Sequence, residues 1–518
     1  MESDWEMIML SLFNDVLGPI MRGPSSSHTA GPYFIGSLAR HLLGEEPVSV
    51  CIQFDPEGSF AEVYRQQGSD LGFTAGFMGL SITSPHFPEV LKLAGEKGLQ
   101  IEFIVAPIQG ADHPNTSEIR MTGRRGEKLN ITAKSVGGGA IILSRLNGWA
   151  VHLTGKAHDV LVLSARDTAR PVKELLRKDR DTIGVPHIQT AENRAMIQVH
   201  RRRPLNSEVL SYIAGMKGVH RVWTAPPLFF IPVGKPLFSS ASELIALAGQ
   251  KGCSMGSLAL LYESQMIELS EEGVISECMR RFEVMKASME RGLKERSIQM
   301  RLLQPSALAL YRAETQGRLA IGGIHARAAA RAMAVMHANS VHDVVCAAPT
   351  AGSAGVIPGV LLTLVKEKNL NPRQIALSLL AASAVGLVVA GRATFAAEVA
   401  GCQAEIGAAG AMASAAVVES VGGNAEQACN AAAIFIQNTM GSICDSVQGL
   451  VEIPCHTRNA VAASSAFVCA DLILGGYQNP IPLDETVDAM YAVGKMLPRE
   501  LKCTARGGLS QTPSALKL

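Results

Sequence analysis

From residue 239 to about 476 the chain reads as one helix after another, dense in alanine, glycine and valine, and loops that carry cysteines interrupt it. No other feature limits the fold so strongly. Helices with such small side chains draw little stability from themselves and most from packing closely on one another. The pattern therefore predicts an all-α region around a large shared core. Composition agrees: hydrophobic residues make up 47% of the chain, yet aromatics only 5%, and there are 49 glycines. Residues 374–391 carry no charge and barely reach the length of a membrane span. They also hold Ser378, Ser383 and Gly386 among mixed small and large residues, which favours a helix at the centre of a bundle. Residues 344–365 are uncharged too, but Pro349 and Pro358 break them.

Three cysteines mark the interruptions: Cys402 in A-G-C-Q-A-E-I-G, Cys444 in S-I-C-D-S-V-Q-G and Cys455 in E-I-P-C-H-T-R-N-A. Each lies beside small or turn-forming residues. Two readings fit. Three thiolates converging on one point hold an iron–sulfur cluster and leave one iron open as a Lewis acid. Alternatively, three buried thiols pack as small hydrophobes. The spacing alone leaves both open.

The net charge of +1 gives no pull toward nucleic acid or an anionic membrane. Ten cysteines in 518 residues do not make a small disulfide scaffold. The first residues carry Glu2, Asp4 and Glu6 where a signal peptide carries bases, so a reducing cytoplasm is the expected location. The length suggests two to four domains.

Taken in order, residues 1–150 read as mixed α/β. In G-P-I-M-R-G-P-S-S-S-H-T-A-G-P, Gly-Pro pairs bracket Ser25, Ser26, Ser27, His28 and Thr29 just before a helix at 33–43. Hydroxyls at a helix start suit an anion such as a carboxylate, or simply cap the helix. Strands are expected at 48–54, 101–106 and 117–122, with His113 in the turn of A-D-H-P-N-T. Lys134 with Gly137, Gly138 and Gly139 could be a pyridoxal phosphate site, a lysine beside a phosphate-cradling loop. Residues 151–232 follow a β-α-β-β-α-β order, the ferredoxin-like arrangement of small regulatory domains. A proline-rich linker at 225–236 leads into the helices. Residues 263–272 are acidic and read as a solvated face, and residues 307–338 as an alanine-rich helical stretch. The loop containing Thr350, Gly352 and Ser353 re-enters a helix at Val356, offering a second anion site or a plain turn.

These motifs, in this order, make the chain resemble the iron–sulfur-dependent L-serine dehydratases (L-serine ammonia-lyases), with β and α parts fused. R-G-P-S-S-S-H-T-A-G-P looks like the β-part signature. C-A-A-P-T-A-G-S-A-G-V-I-P-G, G-C-Q-A-E-I-G, C-D-S-V-Q-G-L-V-E-I-P-C-H-T-R-N-A and A-R-G-G-L-S-Q-T-P look like those of the α part. The resemblance implies a [4Fe–4S] cluster on Cys402, Cys444 and Cys455. It implies that Ser25, Ser26, Ser27, Thr29, Thr350, Gly352, Ser353 and Asn459 meet a small amino-acid substrate. It implies a β-type α/β domain at 1–150, an ACT-like regulatory domain at 151–232 and an all-α catalytic domain at 238–518. It also suggests a homodimer.

Some positions depart from the family. Where G-H-G-T-D is common, this chain has Gln67 in place of the histidine, leaving His113 or His28 as the expected base. Residues 299–307 and 392–397 also differ, and C-D-P-V has become C-D-S-V. The expected reaction is β-elimination of water from L-serine to give pyruvate and ammonia. The departures also admit another small 3-hydroxy or 3-substituted amino acid, or a sensor that binds without converting. The tail carries no terminal cysteine, so a tail thiol is expected at the centre only if Cys503 reaches it.

Overall fold

Strict alternation of buried and exposed residues along Lys128–Gly137 shows the rule by which the first half of the chain is built, one sheet face on a core and one outside. The computed structural model describes residues 9–294 and 298–518; the acidic residues 1–8 lie outside the described residues. The first strand, β1 (Ile20–Arg22), stands apart from the main sheets. Six strands then form one sheet: β2 (Pro47–Phe54), β3 (Gln100–Val105), β4 (Thr116–Gly123), β5 (Lys128–Gly137), β6 (Ala140–Leu146) and β7 (Trp149–Leu153). Their order is β3-β2-β4-β5-β6-β7, with β2 and β3 parallel and the rest antiparallel. The helices Gly31–Leu43 and Ser69–Met78 pack on each other and, through Phe34, Leu38, Phe73 and Phe77, on this sheet's core.

A second sheet contains β8 (His158–Ala165), β9 (Thr182–Ala191), β10 (Arg194–Arg201) and β11 (Val219–Ala225), ordered β11-β8-β10-β9 and antiparallel throughout. Period-two alternation splits its side chains between two cores. Val160, Val162, Ile197 and Val199 meet the helices Arg166–Arg177 and Ser207–Gly215. Leu161, Met196, Trp223 and Ala225 instead join the core of the first sheet. The middle sheet is thus docked on the first rather than hung from it.

From Ala241 onward the described chain is helical apart from β12 (Val344–Cys346) and short turns. Pro372–Arg392 is the one single helix among the described residues long and apolar enough to cross a membrane; most of it is buried against neighbouring helices. Glycine permits those approaches. A Cβ on Gly410 would fall 2.0 Å from the Phe435 ring, and one on Gly292 would fall 1.7 Å from the backbone oxygen of Ala334.

The alanine-rich stretch 307–338 is helical in two pieces: Gly317, Gly322 and Gly323, all in the left-handed region, separate Ala307–Thr315 from Ile324–Ser340. Two expectations change. The acidic stretch from residue 263 is not all solvated: Glu263 is fully buried, accepting hydrogen bonds from Ser11 Oγ and the backbone N–H groups of Leu12 and Phe13. That carboxylate draws helix Leu12–Asp15 into the core of the C-terminal helices, where Leu12, Phe13, Val16 and Leu17 are buried. The Lys134 expectation also falls. Lys134 lies within β5 with its ammonium 2.6 Å from Asp112, and Gly137–Gly139 turn into β6 rather than opening a helix.

β12 pairs antiparallel with β1, matching Ile20 with Cys346 and Arg22 with Val344. This ribbon clips the N-terminal region onto the helices a few residues from both polar loops, Ser25–Thr29 and Thr350–Ser353. Because Gly292 sits against backbone, Gly292→Ala should force the helices Glu271–Gly292 and Ile324–Ser340 apart and cost ~1–3 kcal/mol. Chemical denaturation should show a lower midpoint; an unchanged midpoint would mean this contact does not limit the packing.

Candidate active site and metal centre

Ser25 ends an extended segment and caps the turn Ser26–Ala30, accepting the His28 backbone N–H at 3.1 Å. The turn runs directly into helix Gly31–Leu43. Thr29 Oγ1 donates to the Gln67 carbonyl at 2.7 Å. On the other side Thr350 and Ser353 cap each other's backbone in a reciprocal box. The two loops touch: the Ala351 N–H donates to Ser26 Oγ at 3.3 Å. Asn459, on helix Cys455–Leu474, holds the second loop with both ends of its amide, accepting from the Gly355 N–H and donating to the Gly352 carbonyl. Ser25, Ser26, Ser27, Thr29, Thr350, Ser353 and Asn459 are buried, and Gly352 is half-buried. The N–H groups of Ser26, Ser27 and Gly352 find no acceptor among the described residues.

The cysteines come from three different local structures. Cys402 starts a short turn after Gly401, whose φ is +75°. Cys444 is bridged to the tail: its N–H donates to the Leu501 carbonyl, and its own carbonyl accepts from Cys503. Cys455 is the first residue of a twenty-residue helix, where the helix dipole favours a thiolate. Ligand atoms of Cys402, Cys444 and Glu405 lie within 4.8 Å of one another. Ser446 Oγ links the third thiol, 3.8 Å from Cys455 Sγ and 4.0 Å from Cys444 Sγ. Arg458 crosses this group, with Cys402 Sγ at 3.4 Å, the Ile443 carbonyl at 2.9 Å and Asp445 at 2.9 Å.

A fourth sulfur belongs here. Cys503 accepts a hydrogen bond from Gln67 Nε2 at 3.4 Å, and its thiol also hydrogen-bonds to Cys444. The tail therefore forms one wall, and Leu509 N–H fastens it to Asp445 at 2.8 Å.

Without a metal the thiols stay protonated. A hydrogen bond with Cys444, then burial, pushes Cys402 well above the usual thiol range; burial pushes Cys455 up to about 12. Burial works against the charge of Arg458, but the fields of Cys402 and Asp445 outweigh it and raise its pKa. The donor set fits a cluster: three soft thiols gathered within the protein, with a guanidinium to balance the negative charge of a thiolate-bound centre. A cavity of about 480 Å³ adjoins Cys402 and Arg458, lined also by Phe435, Val461 and Leu472.

His28 is fully buried. Its Nδ1 lies 2.9 Å from Ser27 Oγ and its Nε2 3.0 Å from Ser59 Oγ. Ser59 spends its own proton on the Cys503 carbonyl at 3.0 Å. The network therefore assigns the imidazole proton to Nε2 and leaves Nδ1 to accept from Ser27. Burial, then the nearby His113, lowers the His28 pKa to about 3. His113 Nδ1 accepts the Asn115 N–H at 3.1 Å, so the neutral ring carries its proton on Nε2. Burial lowers its pKa to about 4, with Lys134 adding to the effect.

Sequence reasoning missed Asn115, Glu398 and Glu405. Asn115 Nδ2 donates to Glu398 Oε1, and Ser27 Oγ, whose one proton serves either His28 Nδ1 or this carboxyl, also meets it. Burial pushes both acids up to about 7. A signal was present: between Arg392 and Glu419 these are the two charged residues in an alanine-rich stretch, flanking Cys402.

The family model for the serine dehydratase alpha chain matches residues 250–510. The probable L-serine dehydratase alpha chain of Bacillus subtilis is 37% identical over 282 residues, covering 54% of this chain and 94% of the relative. The L-serine dehydratase alpha chain of Peptoniphilus asaccharolyticus is 35% identical, covering 54% of this chain and 97% of its own length. The probable beta chain of the Bacillus subtilis protein is 37% identical over 179 residues, covering 34% of this chain and 79% of its own length.

A pH test follows from His28. Unfolded, it binds a proton below about 6.5; folded, it stays neutral down to about 3. Over that window the native state binds fewer protons, so folding stability falls as pH drops. His28→Asn removes this contribution. Its loss of stability between pH 6.5 and 4, followed by denaturant titration, should be smaller than that of the parent. An equal loss would mean His28 is protonated in the fold.

Proposed function

We propose, from the premise that this chain belongs to the L-serine dehydratase family, that it eliminates water from L-serine to give pyruvate and ammonia with the help of a [4Fe–4S] cluster. The observation that carries this reading is the meeting of three thiols with two polar turns that keep free N–H groups. Cys402, Cys444 and Cys455 would hold the cluster, which supplies a Lewis acid able to make hydroxide a better leaving group.

The remaining work falls to side chains and backbone. The free N–H groups of Ser26, Ser27 and Gly352 suit the substrate carboxylate, with Thr350, Ser353 and Asn459 keeping the second turn in place. As the Cα–H bond breaks, Ser27 Oγ takes that proton while its own passes to His28 Nδ1. As the C–O bond breaks, His113 in its imidazolium form gives its Nε2 proton to complete water and returns to the neutral ring. The two histidines then exchange the proton to reset. A bound carboxylate and thiolate charge would raise both low histidine pKa values toward the working range. The released enamine rearranges and hydrolyses to pyruvate and ammonia in water.

Residues 1–150, 151–232 and 238–518 are read as β-type, regulatory and catalytic domains. Support for the middle one is its strand order, β11-β8-β10-β9 with two helices on one face, which is that of a ferredoxin-like, ACT-like unit. The departures from the family bear on substrate choice. Glu452, just before Cys455, holds the backbone N–H groups of Arg301, Leu302 and Leu303, so the altered 299–307 segment is fastened to the cysteine loop.

Cys402→Ser, Cys444→Ser and Cys455→Ser should each lose iron, sulfide and pyruvate formation after anaerobic reconstitution. His113→Ala should keep the cluster and lose roughly 10²–10⁴-fold in kcat. Serine turnover by a cluster-free triple variant would overturn the reading. Gln67→His should raise serine turnover, because an imidazole would replace an amide that cannot titrate; an unchanged or lower rate would remove Gln67 as the cause of the departure.

A further inference from the structure

The pocket gathers carboxyl groups that have no cationic partner among the described residues. Glu398 and Glu405 lie within each other's field, the first buried and the second half-buried. Among the described residues no cation pairs with either. Lys134 is taken by Asp112, while Arg458 goes to Cys402, the Ile443 carbonyl and Asp445. Glu398 accepts from the Asn115 amide nitrogen, which fixes the orientation of that amide. The other end, Asn115 Oδ1, is fully buried and has no partner. Such an orphan acceptor costs stability unless a ligand satisfies it. Glu405 accepts from Thr350 and lies against Gly352, where a Cβ would meet its carboxylate oxygens at 3.2 and 3.3 Å. The three acceptors therefore border the turns proposed for the substrate carboxylate and the cysteine centre.

We propose that Glu398, Glu405 and Asn115 Oδ1 form the subsite for the α-ammonium group of the amino acid. This rests on the pocket assigned under the proposed function and adds what selects its substrate class. A primary ammonium offers three N–H donors and a positive charge, the complement of this set. A 2-hydroxy acid of the same shape offers one O–H donor and no charge. Glu398 and Asn115 thus make the pocket one for 2-amino acids and against 2-hydroxy acids.

The test compares L-alanine with L-lactate, which differ at that one group and lack a β-leaving group. Calorimetry on the anaerobically reconstituted protein should show L-alanine binding at least about tenfold tighter. Glu398→Gln, which keeps shape, and Asn115→Leu, which removes Oδ1, should each cut that preference severalfold. L-lactate affinity and the cluster absorbance should stay unchanged. Equal binding of the two ligands, no measurable L-alanine binding, or a preference that survives both substitutions would overturn the subsite. If one variant fails to load a cluster, the other and the parent ratio still decide. Pyruvate formation from L-serine is read separately. Pyruvate without an amine preference sinks the subsite alone; an amine preference without pyruvate sinks the reaction alone.

Discussion

One guanidinium holds together the segments on which the site depends. Arg458 projects from the first turns of helix Cys455–Leu474 and ties Cys402, the Ile443 carbonyl and Asp445 into one cluster. Asp445 is buried, and its other oxygen takes the Leu509 N–H of the tail. Removing Arg458 would leave that carboxylate buried without its charge partner, a costly arrangement. The loops of all three cysteines and the C-terminal wall therefore share one charged anchor. The first α/β region joins the same wall from the far side, where Ser59 and Gln67 reach Cys503.

The helical core supplies rigidity. Gly292 and Gly410 let backbones and a phenyl ring approach within distances any side chain would prevent. Loops emerging from such a core have little room to shift, which keeps thiols from distant parts of the chain in register. The regulatory reading of the middle sheet gains a physical route from the same packing. Helix Gly31–Leu43 starts at the serine loop, and its body shares a core with Trp223 and Ala225 of β11. A ligand that moved β11 would press on the element that positions Ser25–Thr29.

Much of the fold was legible because periodicity is local. The strands around residues 48–54, 101–106 and 117–122, and the β-α-β-β-α-β order, follow from alternation and turn residues. So did both polar loops, through their hydroxyls at helix starts. What escaped depends on partners far along the chain. Glu263 looks solvated until Ser11, Leu12 and Phe13 cap it. Lys134 beside three glycines looks like a cofactor lysine until β5 and Asp112 claim it. Glu398 shows no role until Asn115, from the turn before β4, meets it. Ionisable residues inside apolar stretches were the sequence signal in each acid's case, and its meaning required the fold.

The account stands or falls on the inorganic centre. Mössbauer spectroscopy of the protein reconstituted with ⁵⁷Fe tests it most directly. The account predicts a four-iron, four-sulfide cluster in which one iron differs from the other three, as three cysteine ligands require. Four equivalent irons, a lone tetrathiolate iron, or no bound iron would contradict it.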